Sequence, residues 1–282
     1  MWLPWQPAMA IAAALAVTAM VTRPGGRGWL AVIRAFAREA ALIFFLYAIW
    51  QRAGSLSVMH VSGARSRGLS IWHFERALHF PSELSIERAF LHHSWAIQLM
   101  NGYYAIAHVP ALVIFLIWLF TWHRENYGPW RDTIALTTGA CLLIQLVPVA
   151  PPRMFTDLGF VDAAKLFDQS VYGAVGSGIA DQLSAMPSVH VGWAVIVGVA
   201  VVTVSRSKWR WLVLLHPAMT ILAVTATANH WWLDGVVAVL IMIAAMGLDR
   251  AVRTAYARRR SRPVVQADVV AEPVLAPAEP PA

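Results

Sequence analysis

The chain has 282 residues, of which 59% are hydrophobic and 13% are charged, and its mean hydropathy is +0.57. Soluble domains average about 25% charged residues, so a soluble fold is excluded, and the single cysteine, Cys141, excludes an intrachain disulfide framework. The formal net charge of +7 would admit a nucleic-acid partner, but the basic residues lie between apolar runs. The composition therefore predicts an all-α polytopic membrane protein.

A helix needs about 20 largely apolar residues to cross the hydrocarbon core of a bilayer. Seven segments are predicted as spans: Leu3–Val21, Trp29–Trp50, Trp95–Trp122, Thr133–Val149, Val189–Val204, Trp209–Thr227 and Trp231–Leu248. The second contains Arg34, Arg38 and Glu39, which are expected to snorkel at one end or to face other helices. A count of six spans is the alternative.

The basic residues predict how the spans are oriented. They concentrate in segments 22–38, 121–132, 205–210 and 250–262, which hold four, two, three and six of them, 15 of the 22 Lys and Arg residues. Seven alternating spans place all four segments on one side, which the positive-inside rule makes cytoplasmic. We therefore expect an integral protein of a bacterial-type cell membrane with a cytoplasmic C-terminus, and no nucleic-acid partner.

Three parts are predicted along the chain. Residues 1–34 form an N-terminal transmembrane helix and a basic cytoplasmic loop, and residues 35–250 form the membrane domain. Residues 251–282 form a basic juxtamembrane segment followed by a Pro- and Ala-rich tail, which is predicted to be disordered.

Residues 51–94, within the membrane domain, are too polar to span the membrane. Their apolar residues Ile71, Phe74 and Leu78 recur at helical spacing, opposite a polar face. Two amphipathic helices on the outer membrane surface are expected, with a lid packed over the bundle as the alternative.

Three short polar segments stand at the ends of predicted spans: APPRMF (150–155), MPSVH (186–190) and NHWWLD (229–234). The predicted topology brings all three to the same outer face. Polar residues at membrane depth are costly and mark functional sites. The candidate site residues that would converge there are Arg153, Ser188, His190, His230 and Asp234.

The residue types in these segments favour phosphoryl transfer. His230 and Asp234 are four residues apart and share a helical face, so the carboxylate can hold one ring nitrogen and leave the other free as a nucleophile or base. Ser188 is an N-cap-type residue at a helix start, where anions bind, and Arg153 offers a fork of donors suited to phosphate. Each residue alone also has a structural explanation, as a helix cap or a snorkelling side chain.

A further polar face lies on the third predicted span. Asn101, Tyr104 and His108 stand at i, i+3 and i+7, so they share one side of a helix. This face either lines a headgroup site for a lipid substrate and a polyol acceptor, or bonds to neighbouring helices.

The three polar segments resemble, in order, the three signatures of the type 2 phosphatidic acid phosphatase superfamily. Together with NGYYAIAHVP (101–110) and FERALHF (74–80), they are similar to its inositol phosphorylceramide synthase-like branch of inositolphosphotransferases. The resemblance covers residues 35–250 and implies a six-helix core, here preceded by an extra N-terminal helix. It also implies a metal-independent reaction, without a cofactor, through a phosphohistidine intermediate.

By this resemblance His230 is the nucleophile, Asp234 orients it and His190 protonates the leaving group, while Arg153 and Ser188 hold the phosphoryl oxygens. The chain departs from the broad superfamily pattern at several phosphate-binding positions. Leu146 replaces a lysine, Met154 a proline and Val189 a glycine, and Ala223–Val224 replaces a Ser-Arg pair. These departures favour the synthase-like branch over a simple phosphatidate phosphatase.

Two other functions stay open on the residues alone. His190, His230 and Asp234 form the donor set of a two-histidine, one-carboxylate metal site, which would make the protein a metal-dependent hydrolase. A non-catalytic lipid-binding or transport protein is the second alternative, because a site poor in cations can bind a lipid without cleaving it.

Overall fold

The computed structural model describes residues 3–22, 28–56, 62–169 and 182–260, and within these ranges the chain is helical, without a strand. The α-helices are α1 (Trp5–Val21), α2 (Trp29–Leu56), α3 (Ala64–Ala77), α4 (Glu83–Leu91), α5 (Ser94–Ile106), α6 (His108–Trp122), α7 (Arg124–Gln145), α8 (Ala163–Leu166), α9 (Val189–Val204), α10 (Leu215–Ala226) and α11 (Trp232–Arg260). The predicted disordered tail beyond Arg260 lies outside the described residues.

The apolar helices establish a membrane protein. Two described helical stretches are long and apolar enough to cross a membrane: Lys208–Ala226, a 3-10 turn that runs into α10, and Trp232–Arg259. The α5–α6 pair is a third if its two helices form one span, while α1 and α9 are apolar but shorter. The seven-span count and the six-helix core stay predictions.

The third predicted span is broken. Helices α5 and α6 meet at Ala107 with a bend of 46°. Pro110 has no N–H group to donate to the carbonyl of Ile106, so the helical ladder is interrupted at this point. The break places His108 in the first turn of α6.

Other boundaries also differ from the predicted ones. Helix α2 continues to Leu56, so six residues of the predicted external segment 51–94 belong to it. Helix α7 begins at Arg124 and ends at Gln145, which leaves the last four residues of the predicted span Thr133–Val149 outside the helix.

Two charged side chains of the second predicted span, those of Arg38 and Glu39, differ in burial. The side chain of Arg38 is 75% exposed, whereas that of Glu39 is 8% exposed and faces α7, where it pairs with Arg131. Further ion pairs continue this network to α11 through Asp132, Arg253 and Asp249. The network links α2, α7 and α11 at the end of the bundle away from the polar segments.

Two of the three apolar clusters among the described residues contain most of the buried large side chains. One joins α6, α7, α9 and α11 through large side chains such as Leu119, Trp130 and Ile196. The other lies beneath the polar segments and includes Phe155, Phe160 and Trp231, all at most 2% exposed. The second cluster supports the loops that carry the candidate site.

The buried face of α3 is not the predicted apolar face. Phe74 and Leu78 are 49% and 55% exposed, and the buried residues are Ala64, Gly68, Ile71 and Glu75. A Cβ atom at Gly68 would lie 2.6 Å from the carbonyl oxygen of Ala150, so the absence of a side chain lets α3 approach that backbone. Helix α3 therefore packs on the protein through one face and leaves Phe74 exposed, and both its position on the outer membrane surface and the lid alternative stay predictions.

Candidate active site

The three polar segments meet through backbone hydrogen bonds. The N–H of Arg153 donates to the carbonyl of Ala228 at 2.9 Å, and the N–H of Ser188 donates to the carbonyl of Asp234 at 3.0 Å. The N–H of Val149 donates to the carbonyl of Leu183 at 2.7 Å. The segments that the sequence placed at one face thus form a connected backbone framework, which carries all five residues expected to converge.

His230 is held through its Nδ1 atom. This atom lies 2.7 Å from the carbonyl oxygen of Ala185 and 3.3 Å from Oδ2 of Asp234. Because a carbonyl only accepts hydrogen bonds, Nδ1 carries the hydrogen, and Nε2 of the neutral ring keeps its lone pair. Asp234 is fully buried, and its Oδ2 also accepts from the N–H of Trp231 at 2.8 Å.

His190 lies in a cluster of aromatic rings at the start of α9. Its ring centroid is 5.9 Å from that of His230, and 4.7 Å from those of both Tyr104 and His108. The structure thus brings His190 and His230 within reach of one small group. A cavity of about 50 Å³ lies beside His190, lined by Tyr104, His108 and Trp193 among others.

His108 is buried, at 4% exposure. Its Nδ1 atom lies 3.1 Å from the carbonyl of Tyr104 and so carries a hydrogen. Its Nε2 atom has no hydrogen-bond partner within the described part of the chain. An imidazole acceptor is therefore left open beside His190.

Arg153 is 4% exposed and is tied to the loop that leads to His230. Its Nη1 atom donates to Oδ1 of Asn229 at 2.6 Å, and Nη2 donates to the carbonyl of Gln182 at 3.3 Å. Asn229 in turn donates to Thr227 at 2.7 Å. The guanidinium is thus fixed next to the histidine segment.

Ser188 caps α9. Its side-chain oxygen accepts from the N–H of Val191 at 3.4 Å, and the residue is fully buried. Ser188 is therefore the helix cap that its residue type predicted. Its role in holding a phosphoryl oxygen stays a prediction.

Asn101 is also buried, at 3% exposure, and its Nδ2 atom donates to Oε1 of Gln169 at 3.2 Å. It therefore links α5 to the segment after α8, whereas Tyr104 and His108 contact the ring of His190. The three residues therefore do not line one site together: Asn101 contacts Gln169, and Tyr104 and His108 contact His190.

Sequence reasoning missed several groups at this site. The carbonyl of Ala185 is a backbone atom, and no residue type signals it. The hydroxyl oxygen of Tyr103 lies 2.7 Å from Nδ1 of His216, so this tyrosine extends the ring cluster to α10. Asn229 stood inside the quoted segment NHWWLD, and its polarity at membrane depth was a usable signal.

The metal alternative has little geometric support. Among residues 3–22, 28–56, 62–169 and 182–260, no group of three or more His, Cys, Asp or Glu side chains has the arrangement of a metal site. One Asp234 oxygen is engaged by the N–H of Trp231.

Comparison with known families places most of the membrane domain in a known superfamily. The family model described as PAP2 superfamily matches residues 69–248, which include α4 to α10 and every candidate site residue. No curated protein and no solved structure matches the chain. Members of this superfamily are generally phosphatases that act on lipid phosphates. Since the match covers more than half of the chain, the protein belongs to the PAP2 superfamily.

Proposed function

We propose that the protein is a metal-independent membrane phosphatase or phosphotransferase, which attacks a lipid phosphate or phosphodiester through a phosphohistidine on His230. The observation that carries this proposal is the anchoring of Nδ1 of His230 by the carbonyl of Ala185 and by Asp234. That anchoring leaves Nε2 as the nucleophilic atom. The family match supports a phosphatase-type activity on lipid phosphates.

In the first step, Nε2 of His230 attacks phosphorus and forms a P–N bond while the P–O bond to the leaving group breaks. His190 gives its proton to the leaving oxygen. In the second step, His190 takes a proton from water or from an acceptor alcohol, whose oxygen attacks phosphorus and releases His230. The 5.9 Å between the two ring centroids suits a phosphoryl group that contacts both histidines.

Arg153 is the cation of the site. Its guanidinium is buried and held by Asn229 and by the carbonyl of Gln182, so it is oriented before substrate binds. Charge that develops on the phosphoryl oxygens is stabilised best by such fixed donors. In this proposal the hydroxyl group of Ser188 and backbone N–H groups in the first turn of α9 donate to the same oxygens.

The acceptor side is assigned to Tyr104 and His108, whose rings flank His190. The open Nε2 of His108 would accept a hydrogen bond from a hydroxyl group. A polyol such as inositol offers hydroxyl groups of this kind. We therefore propose transfer of the phosphoryl group to a polyol when one is bound, and hydrolysis by water when none is bound. The site is proposed to open to the outer membrane face.

The test is to trap the intermediate. Purified protein is mixed with a radiolabelled lipid phosphate and quenched in base, where phosphohistidine survives. We expect the wild type to carry acid-labile label, and His230→Ala to lose both label and turnover. His92→Ala removes an exposed imidazole at the end of α4 and serves as the matched control. Cooperative unfolding of both variants shows that a loss of turnover does not come from misfolding. Normal turnover by His230→Ala would overturn the mechanism.

Two further measurements separate this mechanism from the alternatives. A chelator should leave activity unchanged and vanadate should block it, whereas a metal-dependent hydrolase would lose activity with the chelator. A lipid-binding or transport protein would bind the labelled lipid and release no product under any condition. Adding polyol should divert product from inorganic phosphate to the polyol ester, and Tyr104→Phe or His108→Gln should restore hydrolysis.

A further inference from the structure

Helix α3 and its connection to α4 pack on the first turn of α11. The N–H of Leu233 donates to Oε1 of Glu75 at 2.7 Å, and the indole N–H of Trp232 donates to the carbonyl of Pro81 at 2.8 Å. The first N–H groups of a helix have no partner within the helix. Glu75 provides the acceptor for one of these N–H groups, that of Leu233, which lies between His230 and Asp234 in the chain.

Glu75 and Glu83 are both fully buried, at 0% exposure. The carboxyl group of Glu83 lies close enough to that of Glu75 to raise its pKa. Oε2 of Glu83 accepts from the guanidinium of Arg76 at 3.1 Å. The remaining oxygens, Oε2 of Glu75 and Oε1 of Glu83, have no donor among the residues that the structure describes.

Two ionised carboxylates cannot satisfy each other, because both only accept hydrogen bonds. One proton between them would satisfy both of the remaining oxygens and would remove one of two like charges from a buried site. The other charged groups that face the pair are Arg76 on α3 and Asp234 on α11. Arg76 donates to the other oxygen of Glu83, and its Nε atom has no partner among the described residues. Since neither remaining oxygen accepts from this guanidinium, the geometry points to a proton shared between them.

We infer that Glu75 and Glu83 share one proton and act as a positioning pair, which fixes the first turn of α11 and with it His230 and Asp234. The inference deepens the proposed function and rests on it for its activity measurement. When the proton is lost, the two carboxylates repel each other, and α3 and α4 lose their fixed contact with α11. Activity should then fall without any change in the residues that touch substrate.

The pH range of this effect follows from the surroundings of Glu75, which lies outside the candidate spans. Burial first, and the neighbouring Glu83 second, raise the pKa of Glu75 to about 9, against a lowering effect of the Leu233 hydrogen bond. Because this pKa is raised in the folded state, the stabilisation is complete below the ordinary value of 4.5 and is lost as the pH rises through about 9. The protonated pair therefore persists at neutral pH.

The experiment compares pH–rate profiles of the full-length wild type and of Glu75→Gln with a lipid phosphate. The wild-type rate should fall by about tenfold for each pH unit above the pKa of Glu75. A glutamine at position 75 accepts from Leu233 and donates permanently to Glu83, so Glu75→Gln should stay active and lose this alkaline decline. Glu75→Ala should lose activity at every pH, and rescue by glutamine but not by alanine identifies the hydrogen bonds as the cause.

Glu87→Gln is the matched control. Glu87 is also a fully buried glutamate on α4, but its carboxylate accepts from the N–H of Val161 at 3.1 Å and makes no such bond to α11. Its substitution should leave the alkaline decline in place. An unchanged decline in Glu75→Gln, or its loss in Glu87→Gln, would overturn the inference.

A second measurement does not depend on activity. The infrared C=O stretch of a protonated carboxyl group should be present in the wild type at neutral pH, and should lose one component in Glu75→Gln. If no lipid phosphate is turned over by any variant, the proposed function fails, and the infrared difference still tests the shared proton. A spectrum without a component that depends on Glu75 would refute the shared proton even in an active enzyme.

Discussion

The Nδ1 atom of His230 is 2.7 Å from the carbonyl oxygen of Ala185. The main chain of one polar segment thus fixes the tautomer of the histidine on another. Asp234 lies farther from the same atom, at 3.3 Å. The carboxylate therefore adds charge stabilisation to a ring whose orientation does not depend on it alone.

Asp234→Asn follows from this geometry. The asparagine carbonyl can still accept from Trp231, and Ala185 still holds Nδ1, so the fold and substrate binding should persist. We expect kcat to fall by about 10², at the lower end of the range of about 10²–10⁴ for acid–base and orienting groups, with KM nearly unchanged. Steady-state kinetics measure both values. Full activity would remove the role of Asp234, and a loss of about 10⁴ would show that Ala185 does not hold the tautomer.

Arg153→Lys should weaken phosphate binding. A lysine carries all of its donors on one nitrogen, so it cannot reproduce the separate bonds of Nη1 to Asn229 and of Nη2 to Gln182 while it also donates to phosphate. Loss of one charged hydrogen bond, about 1.5–3 kcal/mol, corresponds to about 10- to 100-fold in kcat/KM. Arg65→Lys is the control, because Arg65 lies over Phe155 in the same region but its side chain is 57% exposed. Equal losses in both variants would contradict the assignment of Arg153.

Gly68→Ala should loosen α3 from the loop that carries Arg153. The added Cβ would lie 2.6 Å from the carbonyl oxygen of Ala150 and 2.8 Å from the ring of Phe155, so α3 must shift. We expect a loss of about 1–3 kcal/mol in the free energy of unfolding, together with reduced activity. Gly139→Ala, on α7, meets nothing within 4 Å and should leave both unchanged or slightly improved. Thermal unfolding in detergent compares the two, and an unperturbed Gly68→Ala would refute the close approach.

Cysteines introduced at Lys165 and Lys208 should be labelled from opposite sides of the membrane. Both lysines are exposed and α9 lies between them in the chain. The native Cys141 is buried and should give little background. An impermeant maleimide should reach position 165 from outside and position 208 only after permeabilisation. Labelling of both from the same side would contradict the span assignment and the outward-facing site.

The meeting of the three polar segments could be predicted because its signals are local. The spacing of His230 and Asp234 indicated their contact, although His230 lies two residues before the start of α11 at Trp232 and so is not on a helix face with Asp234. Ser188 shows its cap through its residue type. The order of the three polar segments along alternating spans then placed them together. None of these inferences needed knowledge of packing between distant helices.

The groups that the sequence did not reveal depend on such packing. A backbone carbonyl such as that of Ala185 has no residue-type signal. Glu75 stands in a polar segment, where a glutamate is ordinarily exposed, and only the contact with Leu233 shows that it faces inward. The break at Ala107 had a local signal in Pro110, but the apolar run around it favoured a continuous span.

The ion pairs from Glu39 to Asp249 join helices that are distant in the chain, so they form only after all of these helices have been inserted. Before these pairs form, Arg131 and Arg253 are unpaired positive charges within this network, so they act on the orientation of their helices during insertion. In the assembled protein the same arginines are neutralised by Glu39, Asp132 and Asp249. A chain that lacks the Asp132 carboxylate would therefore insert as the parent does, and its defect would appear later, in the assembly of the inserted helices.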